Sequence, residues 1–156
     1  MEWVLKIMGV IILALIAWTD WKTMEIPDWM NLSLAVCAVI NMFIENNVSV
    51  FERVIGAFCV SVPMYLLILR IPAAFGGGDI KLTSAIGLYL GWKKTLTGTF
   101  LAFLIGGLQG SYLLVSGKAK RGEGAHMAFG PALCIGYAAA MFAGNEILQW
   151  YLSLFY

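Results

Sequence analysis

Long apolar runs, cut by short polar interruptions, set the pattern of this chain. A helix needs about 20 mostly apolar residues to cross a hydrocarbon core about 30 Å thick. The sequence predicts six such segments, over 3–19, 29–44, 54–69, 80–90, 95–115 and 128–143. Lys6 lies near the start of the first, where its amine can snorkel to the interface. The bulky content of that segment, and the lack of an A-x-A-like site before Asp20, favour a retained span over a cleaved signal peptide. Pro63 predicts a kink in the third segment, which ends at Arg70. The fourth is short for a full crossing, so it is expected to start below the membrane surface or with its N-terminus buried in protein. Trp150, Tyr151, Phe155 and Tyr156 mark the last ten residues as an interfacial aromatic segment or a continuation of the final helix.

Six spans leave almost nothing for a soluble domain. The expected organisation is all-α: one transmembrane domain over 1–156, packed as a compact helical bundle. Composition agrees. Hydrophobic residues make up 61 % of the 156 and charged residues 12 %, against about 25 % charged in soluble domains. Mean hydropathy is +0.84. These values exclude a soluble enzyme, a disordered chain and a disulfide-stapled secreted scaffold. A net charge of +1 offers no field for nucleic acid, so the lipid bilayer is the expected environment. Cys37, Cys59 and Cys134 are far apart within apolar runs and read as small packing residues, with no CxxC pair. His126 is the single histidine and has no partner at ligand spacing. No metal or cofactor is expected.

An even number of spans returns both termini to one side. The loops after spans one, three and five carry Lys22, Arg70, Lys81, Lys118, Lys120 and Arg121, while the other side holds Lys6, Arg53, Lys93 and Lys94. The positive-inside rule then places the first group in the cytoplasm, giving a multi-pass cell-membrane protein with both termini outside. Gly98, Gly106, Gly107, Gly110, Gly130 and Gly136 suit close helix packing. The GxxxG of Gly106 and Gly110 does not by itself set an oligomeric state.

With so few charges, the aspartates become informative. There are three: Asp20, Asp28 and Asp79. Asp20 closes the first span and Asp79 opens the fourth, both on the side expected to face the cytoplasm. Ionisable groups near a membrane core are costly and tend to be functional. A compact bundle can bring the two together, and paired carboxylates can hydrolyse a peptide bond without a metal. One takes a proton from water, the other donates one to the scissile carbonyl, and proximity makes the pair share a proton. Asp20 lies at a helix C-terminus and Asp79 at a helix N-terminus, an asymmetry that predicts the shared proton on Asp20 and Asp79 as the base. Gly76, Gly77 and Gly78 permit positive φ and close backbone approach by an extended substrate.

Other polar residues take lesser expected roles. Asp28 follows Pro27 and is expected to cap the second helix, while remaining the rival to Asp20 as second carboxylate. Pro27 holds Ile26 extended. Lys81 is read as a loop-holding cation. Asn31 and Asn41 are read as interhelical hydrogen-bonding groups. Lys118, Lys120, Arg121, Glu123 and His126 form a mixed-charge, solvated loop.

Three stretches carry a resemblance. Asp20-Trp21-Lys22-Thr23-Met24-Glu25-Ile26-Pro27-Asp28 resembles the D-x-x-x-x-x-I-P-[ND] stretch of type IV prepilin peptidases. Gly76-Gly77-Gly78-Asp79-Ile80-Lys81-Leu82 is similar to their GxGD-x-K-L motif, and Phe129-Gly130-Pro131-Ala132-Leu133 to the F-[GA]-P-x-L opening their last helix. The resemblance implies an aspartic endopeptidase of the GxGD class, with no metal. It would remove the basic leader from prepilins or pseudopilins at the cytoplasmic membrane face, in pilus biogenesis or protein secretion. It carries the catalytic pair onto Asp20 and Asp79. Gly76, Gly77, Gly78, Lys81, Pro27 and Asp28 become substrate-binding or loop-shaping residues, and Glu25, Asp28 and Glu123 candidate contacts for the basic leader. Long members of that family also N-methylate the new terminus and carry paired CxxC motifs. With no CxxC pair and no room for that segment, methyl transfer is not expected. The chain looks like the short peptidases of Tad/Flp pilus systems. Thr19, not the Tyr usual in presenilin-like proteases, precedes Asp20. The alternatives are a proton- or cation-coupled transporter component and a non-catalytic pilus assembly protein.

Overall fold

The structure, a computed structural model, describes residues 2–45, 47–71, 75–116 and 128–153. Seven helices follow in chain order: α1 (Glu2–Thr23), α2 (Asp28–Ile44), α3 (Val50–Cys59), α4 (Ser61–Arg70), α5 (Gly77–Leu90), α6 (Trp92–Val115) and α7 (Gly130–Ser153). No strand is present among the described residues. The third expected segment is split at Val60 into α3 and α4. Pro63 has no N–H to return to the carbonyl four residues back, so the break lies one turn before it. Counting α3 and α4 as one bent pass gives the expected six. Among the described residues four segments are long and apolar enough to cross a membrane: Trp3–Thr23, Val50–Arg70, Trp92–Leu113 and Gly130–Trp150. α2 is a shorter apolar helix. The segment after 147 continues α7 as far as Ser153.

The short helix α5 is the centre of the bundle. It packs against α2, α3, α4, α6 and α7. Leu82, Ile86 and Tyr89 on α5 meet Leu13 and Ile16 of α1, Leu34 and Ala38 of α2, and Leu133, Tyr137 and Met141 of α7 in one buried cluster. A helix enclosed on all sides needs no lipid-spanning length, which is why α5 can be 14 residues long. Large apolar residues cover the outside, among them Phe43, Phe51 and Leu108. The interior instead carries polar groups that find partners. Tyr137 Oη on α7 donates to Thr83 Oγ1 on α5 at 3.2 Å and lies 3.0 Å from Thr99 Oγ1 on α6. Thr95 and Thr99 return their hydroxyls to the carbonyls of Gly91 and Thr95. Such pairing suits a medium that offers no competing water.

Glycines set two close crossings. A Cβ on Gly87 of α5 would overlap the Gly56 carbonyl of α3, and one on Gly56 would overlap the Gly87 carbonyl. On the other side, a Cβ on Gly136 of α7 would meet the Gly98 carbonyl of α6 and approach Ala102 N at 2.8 Å. Gly107 has nothing within 4 Å and takes no part. α5 stops at Gly91, whose φ of 77° a side chain would strain, and α6 begins at once. We expect Gly87→Ala to destabilise the bundle by about 1–3 kcal/mol through overpacking, and Gly107→Ala to have no effect, both read by chemical unfolding in mixed micelles.

Opposite the α5 N-terminus lies a second buried polar centre. Arg53 of α3 is fully buried and donates to the carbonyls of Tyr89 (2.6 Å), Glu45 (3.1 Å) and Val48 (3.4 Å). It also lies 3.7 Å from Glu45 Oε2. Arg53 is therefore a tie between α3, the α2–α3 connection and the end of α5, not a loop cation. Asn41, expected to bond between helices, instead donates to Glu45 Oε2 at 2.9 Å within its own chain turn.

Candidate active site

Both candidate aspartates are buried, Asp20 at 5 % exposure and Asp79 at 6 %. They belong to the helices that the bundle brings to one end: the last turn of α1 and the first turn of α5. α1 runs to Thr23, one turn past Asp20, and ends where Met24 takes φ 55° and donates its N–H to the Asp20 carbonyl at 2.8 Å. Asp79 is the third residue of α5, not its cap. The cap is Gly76, and its N–H donates to Asp79 Oδ2 at 3.2 Å. This is half of a capping box, because glycine has no side chain to return the bond.

Asp20 is held in a parallel way. The N–H of Gly130, first residue of α7, donates to Asp20 Oδ2 at 3.0 Å. A Cβ at Gly130 would lie 2.5 Å from that oxygen, so only glycine allows the approach. Each carboxylate thus rests one oxygen on the N–H of a glycine at a helix N-terminus. Among the described residues no other hydrogen bond to either carboxylate is found. The rings of Phe75 and Phe129, each one residue before the glycine that holds an aspartate, have centroids 5.4 Å apart, which puts both carboxylates at the same end of the bundle. Asp20 therefore faces a helix N-terminus just as Asp79 does. The dipole asymmetry expected from α1 and α5 alone is offset by α7, and the preference for the proton on Asp20 loses its basis.

The triple glycine divides its tasks. None of Gly76, Gly77 and Gly78 has positive φ, contrary to expectation, because a helix starts there and its first residues take ordinary helical or extended angles. Gly76 supplies the N–H. Gly78 packs against Ile26, whose Cβ would sit 2.9 Å from an added side chain. Gly77 faces open space and, with Gly76, exposes bare backbone beside Asp79. Asn31 of α2 donates from Nδ2 to the Gly78 carbonyl at 3.4 Å, which bears out its interhelical role. Its Oδ1 is buried without a partner.

Asp28 corrects a second expectation. The residue at the α2 cap is Pro27, with φ −60° and ψ 138°. Asp28 is the first helical residue and makes no capping bond. Its carboxylate, 74 % exposed, pairs with Lys81 Nζ at 2.6 Å. Lys81 thus ties α5 to α2 at the surface. Pro27, with its fixed φ at the α2 cap, places Ile26 and Asp28. Between α2, α3 and α5 runs an apolar groove of about 770 Å³, walled by Trp29, Leu32, Val54, Phe58 and Leu88, with Asp28, Lys81 and Asn31 also lining it.

Lys118, Lys120, Arg121, Glu123 and His126 lie outside the described residues, as do Phe155 and Tyr156. Among the described residues no three His, Cys, Asp or Glu side chains converge to hold a metal. The contribution of Gly130, whose N–H holds Asp20, was not foreseen. Gly130 sat in a recognisable motif, but nothing along the chain joins it to Asp20, 110 residues away.

The type IV leader peptidase family profile matches residues 7–111, a stretch that contains both buried aspartates. Three relatives bear the name prepilin leader peptidase/N-methyltransferase. That of Legionella pneumophila is 29 % identical over 94 % of this chain and 52 % of its own length. That of Aeromonas hydrophila is 28 % identical over 92 % and 51 %, and that of Bacillus subtilis 28 % over 92 % and 57 %. The chain spans about half the length of the curated relatives it matches. No solved structure matches it. With the profile covering most of an all-helical, membrane-suited bundle, the chain belongs to the type IV leader peptidase family.

Proposed function

We propose that this chain is a membrane-embedded aspartic endopeptidase, a single peptidase domain that removes the basic leader from prepilins or pseudopilins. Asp20 and Asp79 activate the water. The observation that carries this reading is the matched pair of buried carboxylates, each held through one oxygen by a glycine N–H at a helix N-terminus. In this reading the two carboxylates share a proton, so one can act as base and the other as acid. The base takes a proton from water as the oxygen attacks the scissile carbonyl, and the acid protonates that carbonyl oxygen. Collapse of the tetrahedral intermediate returns the proton to the leaving amine.

The exposed backbone of Gly76 and Gly77 beside Asp79 suits an extended substrate segment. The groove between α2, α3 and α5 is an apolar surface for the substrate's own helix, and Asn31 connects it to Gly78. The burial of Asp20 and the surface pairing of Asp28 favour Asp20 as second carboxylate. The excess of Lys and Arg in the loops at this end favours the cytoplasmic face of the cell membrane for it. Of the two activities in the relatives' name, the proposal takes the peptidase.

Co-expression with a prepilin, followed by a gel shift, tests the reading. The wild-type chain is expected to shorten the substrate. Asp28→Asn is expected to keep cleaving and to lose less than about 1 kcal/mol of stability, since an exposed pair contributes little. Loss of cleavage in Asp28→Asn with cleavage kept in Asp20→Asn would reverse the pairing. Ion flux without cleavage would favour a transporter.

A further inference from the structure

Three phenylalanines meet beside the two aspartates. The ring centroids of Phe75 and Phe129 are 5.4 Å apart, those of Phe103 and Phe129 5.6 Å, and those of Phe75 and Phe103 6.1 Å. The planes are tilted or edge-on, the arrangements that aromatic quadrupoles favour. Two of the three stand in matching places. Phe75 directly precedes Gly76, whose N–H holds Asp79, and Phe129 directly precedes Gly130, whose N–H holds Asp20. A planar peptide joins each ring-bearing residue to its glycine N–H, so a displaced ring moves the donor. Phe103 on α6 backs the pair. Gly106, one turn further along α6, makes room for it: a Cβ there would approach Phe129 Cε2 at 2.5 Å and Cδ2 at 3.0 Å.

We propose that Phe75, Phe103 and Phe129 form an aromatic brace that keeps the Gly76 and Gly130 donors, and through them Asp79 and Asp20, in register. This rests on the reading of the two aspartates as the catalytic pair. The phenylalanines are positioning residues and touch no reacting atom. The brace explains why the two loops that carry the donors, far apart in sequence, hold a common geometry although the helices bearing the aspartates, α1 and α5, meet chiefly through their neighbours α2 and α7.

Adjacent glycines supply the test. Gly106→Ala pushes the Phe129 ring without touching an aspartate or a donor, while Gly107→Ala adds a methyl to open space. A misplacement on the order of 1 Å costs about 100-fold in rate. Gly106→Ala and Phe129→Ala are therefore expected to lower kcat by about 10- to 100-fold with KM little changed. Phe129→Tyr and Gly107→Ala are expected to stay near wild type. A second readout needs no cleavage. Spin labels on Lys22→Cys and Gly77→Cys, with the three native cysteines replaced by alanine, report the separation of the α1 end from the α5 start in nanodiscs. Gly106→Ala is expected to shift or widen that distance distribution, and Gly107→Ala to leave it unchanged. Wild-type kcat and an unaltered distribution in Gly106→Ala and Phe129→Ala would overturn the brace, and would leave the catalytic pair standing if Asp20→Asn and Asp79→Asn are inactive. Should those two aspartate variants cleave normally, the pair is wrong, and the label distances still decide the brace.

Discussion

Asp79→Asn is expected to slow prepilin cleavage by at least about 10²- to 10⁴-fold while the protein remains folded in the membrane. The amide oxygen of asparagine can still accept the Gly76 N–H that now reaches Asp79 at 3.2 Å, so the start of α5 survives. What asparagine cannot do is take a proton from water or pass one on. Asp20→Asn is expected to match it, because the amide can likewise keep the Gly130 bond. At 1.36 kcal/mol per factor of ten, the loss is roughly 3–5 kcal/mol of transition-state stabilisation. The double variant should be no slower than either single one, since groups acting as one unit lose their effect together. The assay is single-turnover cleavage of purified prepilin, with membrane yield and thermal unfolding as controls for folding. Either single variant that cleaves at the wild-type rate would exclude that residue from the reaction.

The second large effect concerns stability. Arg53→Ala is expected to destabilise the bundle by about 3–5 kcal/mol, the cost of breaking a buried charged network by removing one partner. Three backbone carbonyls, of Glu45, Val48 and Tyr89, now share the guanidinium. Removing it leaves them and the Glu45 carboxylate without that donor in a medium where water does not substitute. Arg53→Lys should recover only part of the loss, because an ammonium lacks the planar fork that reaches several acceptors at once. Chemical unfolding in mixed micelles measures both. Tyr89 is ten residues from Asp79 on α5, about 15 Å at the helical rise, so cleavage by the folded fraction of Arg53→Lys should be unaffected. A change in kcat there would show that the two ends of α5 are coupled.

How much of this was legible beforehand differs from residue to residue. Hydrophobic length marked the four long segments, because the bilayer makes length itself the signal, while α5 was legible only as an apolar run too short to cross. Pro63 announced the bend between α3 and α4, displaced by one turn because the missing N–H acts on the carbonyl before it. The caps were less legible. Asp28 looked like an N-cap, yet the cap is Pro27 and the carboxylate turned to Lys81, while Asp79 at the start of α5 accepts from the N–H of the Gly76 cap. Local preference gave way to tertiary partners within reach. Arg53 looked like a loop charge because nothing in its neighbourhood names Tyr89, 36 residues on, as a partner. Periodicity did not tell the inside of the bundle from the outside, since lipid and core are both apolar.

What the sequence by itself determined is the membrane class, the run of apolar helical segments, and the short list of ionisable residues in which chemistry could lie. Apolar length and scarce charge are local properties, and they need no fold to be read. Only the tertiary structure decided that Asp20 and Asp79 are both buried, that each rests on a glycine N–H, and that Asp28 pairs with Lys81 at the surface. Those facts depend on α7 returning Gly130 to the end of α1, and on glycine crossings that let the helices close. Contacts across a hundred residues leave no mark in local pattern, because the partner that makes a carboxylate distinctive is supplied by another helix.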